Sequence, residues 1–334
     1  MHAPAPGHLI GNASLFQQTQ RVIAKIASCD ATVLIQGETG TGKELGARAI
    51  HYLGTRRDHP FIPVNCGAIP DSLLESEVFG HARGAFTDAK EQQPGLVALA
   101  ERGTLFLDEI ETLSPRGQVL FLRFFEDRTY RPLGARHYVR SDIRIIAASN
   151  ADLGDLVRAG TFRRDLLYRL SIVSVSMPPL RERVGDVALL ARHFLARYAA
   201  QYGRAPISLH DEALASLDTY DWPGNVRELE NLIHREVVMG DGGEIRAIHL
   251  PAGEGRAAVT RMPVAVPALS LGLRRAKEML VAEFERAFIA RALGECGGNV
   301  SRAARLARKE RRAFGKLMTK YRISSGDFRA VDAD

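Results

Sequence analysis

The stretch that most limits what this chain can fold into is residues 31–50, ATVLIQGETGTGKELGARAI. A short apolar run at 32–35 has the length and composition of a buried parallel strand. Gly37, Gly40 and Gly42 follow, the run closes on Lys43, and a helical pattern begins at once. GxxxxGK at a strand-to-helix junction is the spacing of a phosphate-binding loop. Glycines let successive backbone N–H groups curl around an anion, and the helix N-terminus adds a favourable field. Gly37, Glu38, Thr39, Gly40, Thr41, Gly42, Lys43 and Glu44 are therefore the expected nucleotide cradle. Lys43 supplies a mobile charge for the outer phosphates. Glu44 stands where the generic motif has Ser or Thr to hold magnesium. The competing reading is a glycine-rich turn with no ligand.

Further apolar runs make this an α/β chain. FIPVN ends at Asn65, TLFLDE at 104–109 delivers Asp108 and Glu109, IRIIAA at 143–148 leads to Asn150, and a fourth signal spans 172–175. Continuous apolar strands separated by helical patterns predict a parallel sheet with ligands at the carboxyl edge. Two acids there suit ATP hydrolysis, Asp108 organising magnesium through its water shell and Glu109 polarising the attacking water. A helix cap is the blander use of the same pair. Asn150 can cap the next helix, sense the terminal phosphate or position the water. Amphipathic patterns predict helices at 16–27, 115–126 and 161–170. The last carries Arg163, Arg164 and Arg169, which read as solvated surface unless a neighbouring subunit's nucleotide lies close.

Pro178-Pro179 closes the α/β part, and residues 180–240 read as helical. Arg227, on the first turn of the helix after WPGN, either reaches a phosphate across the cleft or pairs with Glu228 or Glu230. Residues 241–270, rich in Gly, Ala and Pro, are the expected linker. A long helix pattern at 271–293 precedes two short ones, 300–307 and 310–320, at helix-turn-helix spacing. Residues 271–334 hold 15 basic and 8 acidic side chains, against 30 and 31 in the rest of the chain. A polyanion partner is thus expected for the C-terminal piece alone. No apolar run approaches a membrane span, MHAPAPGH lacks the regions of a signal peptide, and Cys29, Cys66 and Cys296 form no zinc or disulfide pattern, so a reducing cytoplasm is the default.

The loop at 80–94, GHARGAFTDAKEQQP, is the least core-like segment of the first half. Its aromatic can pack back onto its own domain or serve as a contact tip. GETGTGKE, ESEVFGHARGAFTDA, GTLFLDEI, FRRDLLYRL, PPLRER and WPGNVREL follow one another in an order and spacing that resembles the bacterial enhancer-binding proteins. These are the AAA+ ATPases that activate sigma-54 RNA polymerase. The resemblance covers about residues 9–240, and 275–324 is similar to a Fis-type helix-turn-helix.

That resemblance implies a tail at 1–8, an AAA+ α/β ATP-binding subdomain at 9–178, an α-helical lid at 179–240 and, after the linker, an all-α DNA-binding domain at 271–324 with a tail at 325–334. It implies ATP and Mg2+ as cofactors. Lys43 takes the Walker A role, Asp108 and Glu109 the Walker B roles, with Asp108 toward the metal. Asn65 holds the glutamate, Asn150 is the first sensor, Arg227 the second, and Arg163 and Arg169 are fingers shared across a ring, usually a hexamer. In this family Glu44 is usual, and Arg164 has no assigned role. Gly84, Ala85, Phe86, Thr87, Asp88 and Ala89 fall on the loop that contacts sigma-54. The usual string is GAFTGA, and Asp88 replaces its second glycine. A charged side chain that also disfavours φ > 0 is expected to weaken or alter coupling to sigma-54 while ATPase activity survives.

In the C-terminal domain, Arg302, Arg311, Arg312 and Lys316 are the expected contacts to double-stranded DNA, mostly to phosphates. The Arg308-Lys309 turn and Gly315 depart from the family pattern. A domain used mainly for dimer formation is the alternative. Only a short tail precedes the ATPase, so control is expected from a separate protein, from expression level or from a related partner in a mixed ring. The leading expectation is a sigma-54-dependent activator working from upstream DNA through the polymerase holoenzyme. Two others stay open: a DNA-binding regulator of the same descent with lost or altered sigma-54 coupling, and an AAA+ machine outside transcription.

Overall fold

The computed structural model describes residues 9–85, 91–240, 242–245, 248, 250, 282, 285–286, 288–294, 296–297, 299–307, 309–321 and 323–324. Five parallel strands form the centre: β1 (Val33–Gln36), β2 (Phe61–Asn65), β3 (Thr104–Asp108), β4 (Arg144–Ser149) and β5 (Val173–Ser176). Their spatial order is β2-β3-β4-β1-β5. Asn65 lies opposite Asp108, and Gln36 lies between Ser149 and Ser176. The expected candidate residues therefore leave the sheet at one edge.

Strands β1, β3 and β4 read as continuous apolar runs because both faces of the sheet are covered. Neighbouring residues alternate between the two layers. Leu34, Leu105, Leu107 and Ile145 join one core with Phe121 and Phe124. Ile35, Phe106 and Ile146 join another with Phe16, Ile23 and Ile50. The covering helices include α1 (Ser14–Ala27), α2 (Lys43–Tyr52), α3 (Asp71–Phe79), α4 (Pro115–Asp127), α5 (Leu153–Arg158) and α6 (Arg164–Leu170). Helix α5 is capped by Asp152, whose Oδ1 accepts from Gly154 and Asp155 N–H at 2.7 and 3.2 Å. That removes Asn150 from the capping role. Helix α6 starts three residues later than its sequence pattern, because Arg163 is extended and donates its backbone N–H to Gln118 Oε1 at 2.9 Å.

After a short turn, Leu180–Glu182, three helices form a lid around fully buried Trp222: α7 (Asp186–Gln201), α8 (Asp211–Asp218) and α9 (Asn225–Met239). Ser208–Leu209 pairs in parallel with Glu244–Ile245. Ile245, Ile248 and Leu250, within the stretch expected as linker, pack into the lid core.

Residues 252–334 form a second compact unit. It contains α10 (Val300–Leu306) and α11 (Arg311–Tyr321), the two helices expected from spacing. Asn299 caps α10 by accepting from Arg302 N–H at 3.1 Å. Phe314, Met318 and Tyr321 pack with Ile289, Leu293 and Ala303. Much of the helix expected at 271–293 and residue 308 of the turn lie outside the described residues.

Candidate nucleotide site

The phosphate loop occupies the junction between β1 and α2. Gly40 and Gly42 have φ of +80° and +94°, which side chains disfavour. Lys43 is only 8% exposed, and its Nζ donates to the carbonyls of Gly37 and Glu38 at 2.8 and 3.1 Å. Burial pulls the Lys43 pKa below the usual lysine range, while Asp108, Glu111 and Glu109 act to raise it. Thr41 is buried and donates its hydroxyl to Glu38 O at 2.8 Å. Glu44 pairs with Arg48 one turn along α2, at 2.8 Å.

Asp108, at the end of β3, accepts the backbone N–H of Glu109 at 3.0 Å. Burial pushes the Asp108 carboxyl above its usual range, and Lys43 pulls the other way. Glu109 has φ of +55°, a left-handed backbone costing about 1–3 kcal/mol in a residue other than glycine. It lines a cavity of about 530 Å³ together with Asn65. Asn65 Oδ1 accepts from Gly67 and Ala68 N–H at 2.9 and 3.2 Å, which turns the side chain toward its own loop. A Cβ on Gly67 would stand 3.1 Å from Glu109 Oε2 and 3.3 Å from Asn65 Oδ1, so the glycine leaves room for both. The neighbouring Cys66 thiol is pushed up to about 12 by burial and then by the charges of Asp108, Glu111 and Glu109.

Those carboxylates beside Lys43 leave local negative charge that suits a cation. No protein-only cage of three or more His, Cys, Asp or Glu exists among the described residues. Magnesium needs none, since one or two carboxylates, waters and substrate phosphates complete its shell. Asp108 fits as its protein partner.

Asn150 follows β4 and is exposed; its N–H donates to Glu111 Oε1 at 3.3 Å. Glu111 Oε2 is buried without a hydrogen-bond partner among the described residues. Glu111 belongs to the site, yet sequence reasoning passed over it, although its position three residues after Asp108 offered a signal. Arg227, exposed on α9, contributes to the field at Lys43. Its expected alternative partners are taken: Glu228 accepts from Gly224 N–H and Tyr220 hydroxyl, and Glu230 pairs with Arg197. Arg181 and Asn225 sit in the PPLRER and WPGNVREL strings, where nothing in the sequence alone marks either for a role.

Arg163 and Arg169 do not join their own chain's phosphate loop. Arg163 pairs with Asp165 at 2.6 Å, and Arg169 approaches Glu126 at 3.9 Å. Both are exposed, as is Arg164. Arg163, Arg164, Asp165 and Tyr168 line a surface groove of about 470 Å³. Gly84, with φ of +80°, and Ala85 are the described part of the 84–89 loop. Phe86, Thr87, Asp88 and Ala89 lie outside the described residues. In the C-terminal unit, Arg302, Arg311, Arg312 and Lys316 are all exposed.

A phosphate loop on a parallel sheet, acids at the adjacent strand end and a helical lid against the loop define an AAA+ ATPase module. The model of the sigma-54 interaction domain matches residues 9–176, and that of an AAA+ ATPase lid domain matches residues 181–261. The chain belongs to the sigma-54-dependent AAA+ transcriptional activators. It is 42% identical over 325 residues to the regulatory protein AtoC of Escherichia coli K12, covering 96% of this chain and 69% of AtoC. It is 43% identical over 298 residues to the transcriptional regulatory protein ZraR of Salmonella typhimurium, covering 89% and 65%. The chain thus spans about two thirds of these relatives. A crystal structure of NtrX from Brucella abortus in complex with ADP superposes with a TM-score of 0.68 at 31% identity, covering 94% of this chain and 69% of NtrX. A second NtrX structure, in complex with ATP, gives 0.67. Among the described residues, no helix is long and apolar enough to cross a membrane.

Proposed function

We propose that this chain hydrolyses ATP in an oligomeric ring and uses the energy to remodel a sigma-54 polymerase–promoter closed complex from upstream double-stranded DNA. One observation carries the reading: Lys43, Asp108, Glu109 and the lid residue Arg227 converge on one edge of the sheet. Residues 37–44 cradle the phosphates, and Lys43 leaves its loop carbonyls to meet the outer ones. Asp108 would hold Mg2+, which supplies charge neutralisation of the phosphates when bound. Glu109 polarises the attacking water, and Asn65, in the same cavity, restrains Glu109. Asn150 reports the terminal phosphate.

Arg163 and Arg169, which pair with Asp165 and Glu126 in their own chain, complete the site of a neighbouring subunit. The assembly runs from dimer to hexamer, pure or mixed with a related protein, in the cytoplasm, under a separate regulatory protein. Residues 84–89 touch sigma-54, while Arg302, Arg311, Arg312 and Lys316 meet DNA.

In vitro transcription from a sigma-54 promoter, with ATP and the protein's own upstream DNA, tests this. Open complexes should form with the wild type. Glu109→Gln should lower hydrolysis by about a hundredfold or more and abolish them. Activation that persists in Glu109→Gln would refute the reading.

Asp88 favours a second reading, an ATPase of this family whose output to sigma-54 is altered. Asp88→Gly should then raise open-complex formation with hydrolysis unchanged. An Asp88→Gly chain indistinguishable from wild type in both assays excludes it.

A further inference from the structure

Three consecutive residues of the phosphate loop are held by the lid. Arg181 donates to both Glu38 carboxylate oxygens, Nη2 to Oε1 at 2.6 Å and Nη1 to Oε2 at 2.8 Å. Asn225 Nδ2 donates to Glu38 Oε2 at 3.1 Å and to Thr39 O at 3.0 Å. Val226 N–H donates to Gly40 O at 3.0 Å. Asn225 is fully buried, has φ of +53° and accepts Leu180 N–H on Oδ1 at 2.8 Å. One side chain thereby joins the turn carrying Arg181 to the helix carrying Arg227.

A lone carboxylate in a phosphate cradle would repel the ligand, and a bidentate guanidinium offsets that charge. Arg181 does hold the Glu38 carboxyl far down, at about 2, with Asn225 contributing.

We propose that Glu38, Arg181 and Asn225 form a clasp between lid and phosphate loop that positions Arg227 and sets the rate at which nucleotide leaves. They are positioning residues. Glu38 serves the cradle by engaging the lid and not by touching phosphate. Opening the lid to exchange nucleotide requires the Glu38–Arg181 pair to part. The clasp rests on reading residues 37–44 as the nucleotide site, and the test separates the two.

The whole chain is loaded with a fluorescent ADP analogue, and dissociation is followed after a chase with unlabelled ADP. Binding by wild type and its loss in Lys43→Ala establish the site; failure here overturns the nucleotide-site reading and the clasp with it. Arg181→Ala and Glu38→Gln should each speed dissociation about fivefold and raise the KM for ATP more than they lower kcat. The double variant should be no faster than either single one, since both remove the same ion pair. Arg181→Lys, which keeps the charge without the fork, should lie between. Arg181 is exposed enough for the fold to survive, and unchanged melting curves check this. If the single variants release the analogue within about twofold of wild type, or the double variant shows additive effects, the clasp is wrong even though the site is right.

Discussion

At Gly40 a single missing atom decides how close the lid can come. A Cβ there would stand 2.2 Å from Gly224 O and 3.1 Å from the Arg227 Cβ, and φ is already +80°. Gly40→Ala should therefore displace the lid from the loop and move Arg227 with it. Global stability should fall by only about 1–2 kcal/mol, the strain of one left-handed alanine. Nucleotide affinity should fall by about tenfold or more, because the cradle is built from the backbone that shifts. Calorimetric titration with ATP beside a thermal melt reads the two quantities. A weakened melt with undiminished affinity would contradict the argument. The glycine pattern of 37–42 was legible as a cradle because φ > 0 needs glycine locally. The approach to Gly224 was not, since it depends on a packing between residues far apart in sequence. Asn225 was hidden for the same reason: its partner Glu38 lies 187 positions earlier. Glu111 stands three residues after Asp108, which was a signal, but that spacing does not reveal that its Oε2 is buried.

At the level of elements, the parallel strands β1, β3 and β4 were readable to within a residue or two because burial on both faces leaves a nearly uninterrupted apolar run. Arg144 breaks that pattern at the start of β4, where it is 1% exposed. Its Nη2 donates to Ile26 O at 2.8 Å and its Nη1 to Ala27 O at 3.3 Å, so it terminates α1 in place of solvent. Burial pulls its pKa below the usual arginine range, and its Nε has no partner among the described residues. Arg144→Ala removes the cap and leaves a void under α1. It should cost about 2–4 kcal/mol, read as a lower urea midpoint. Arg144→Met keeps much of the volume and should recover part of that loss. Equal stability of all three proteins would show that the α1 terminus does not depend on this side chain. The pattern of helix α6 overran its true start because the hydrophobic period does not register the bond from Arg163 N–H to Gln118.

At the level of the whole molecule, two compact units divide the chemistry. Charge was legible here, with the basic excess confined to the C-terminal residues. Its structural form is consistent with that excess: Arg311, Arg312 and Lys316 are exposed on α11, and Phe314, Met318 and Tyr321 of the same helix are buried. The position of the division was less legible. Gly- and Ala-rich composition marks residues 241–270 as linker, yet Ile245, Ile248 and Leu250 belong to the lid core and Glu244–Ile245 completes a strand pair. Two truncations separate composition from packing. A chain ending at Pro251 keeps that packing and should retain nucleotide binding and its melting temperature while losing affinity for duplex DNA. A chain ending at Gly240 removes three apolar side chains from the lid and should be less stable by about 2–5 kcal/mol. The DNA arm is read by fluorescence anisotropy across a salt series. Binding by the 334-residue chain should weaken steeply with salt, and Arg312→Ala with Lys316→Ala should flatten that slope by about one unit for each phosphate no longer neutralised. Equal melting of the two truncated chains would place the end of the lid at 240. Undiminished DNA binding by the chain ending at Pro251 would move the polyanion surface onto the ATPase unit, whose near-neutral balance of charge argues against it.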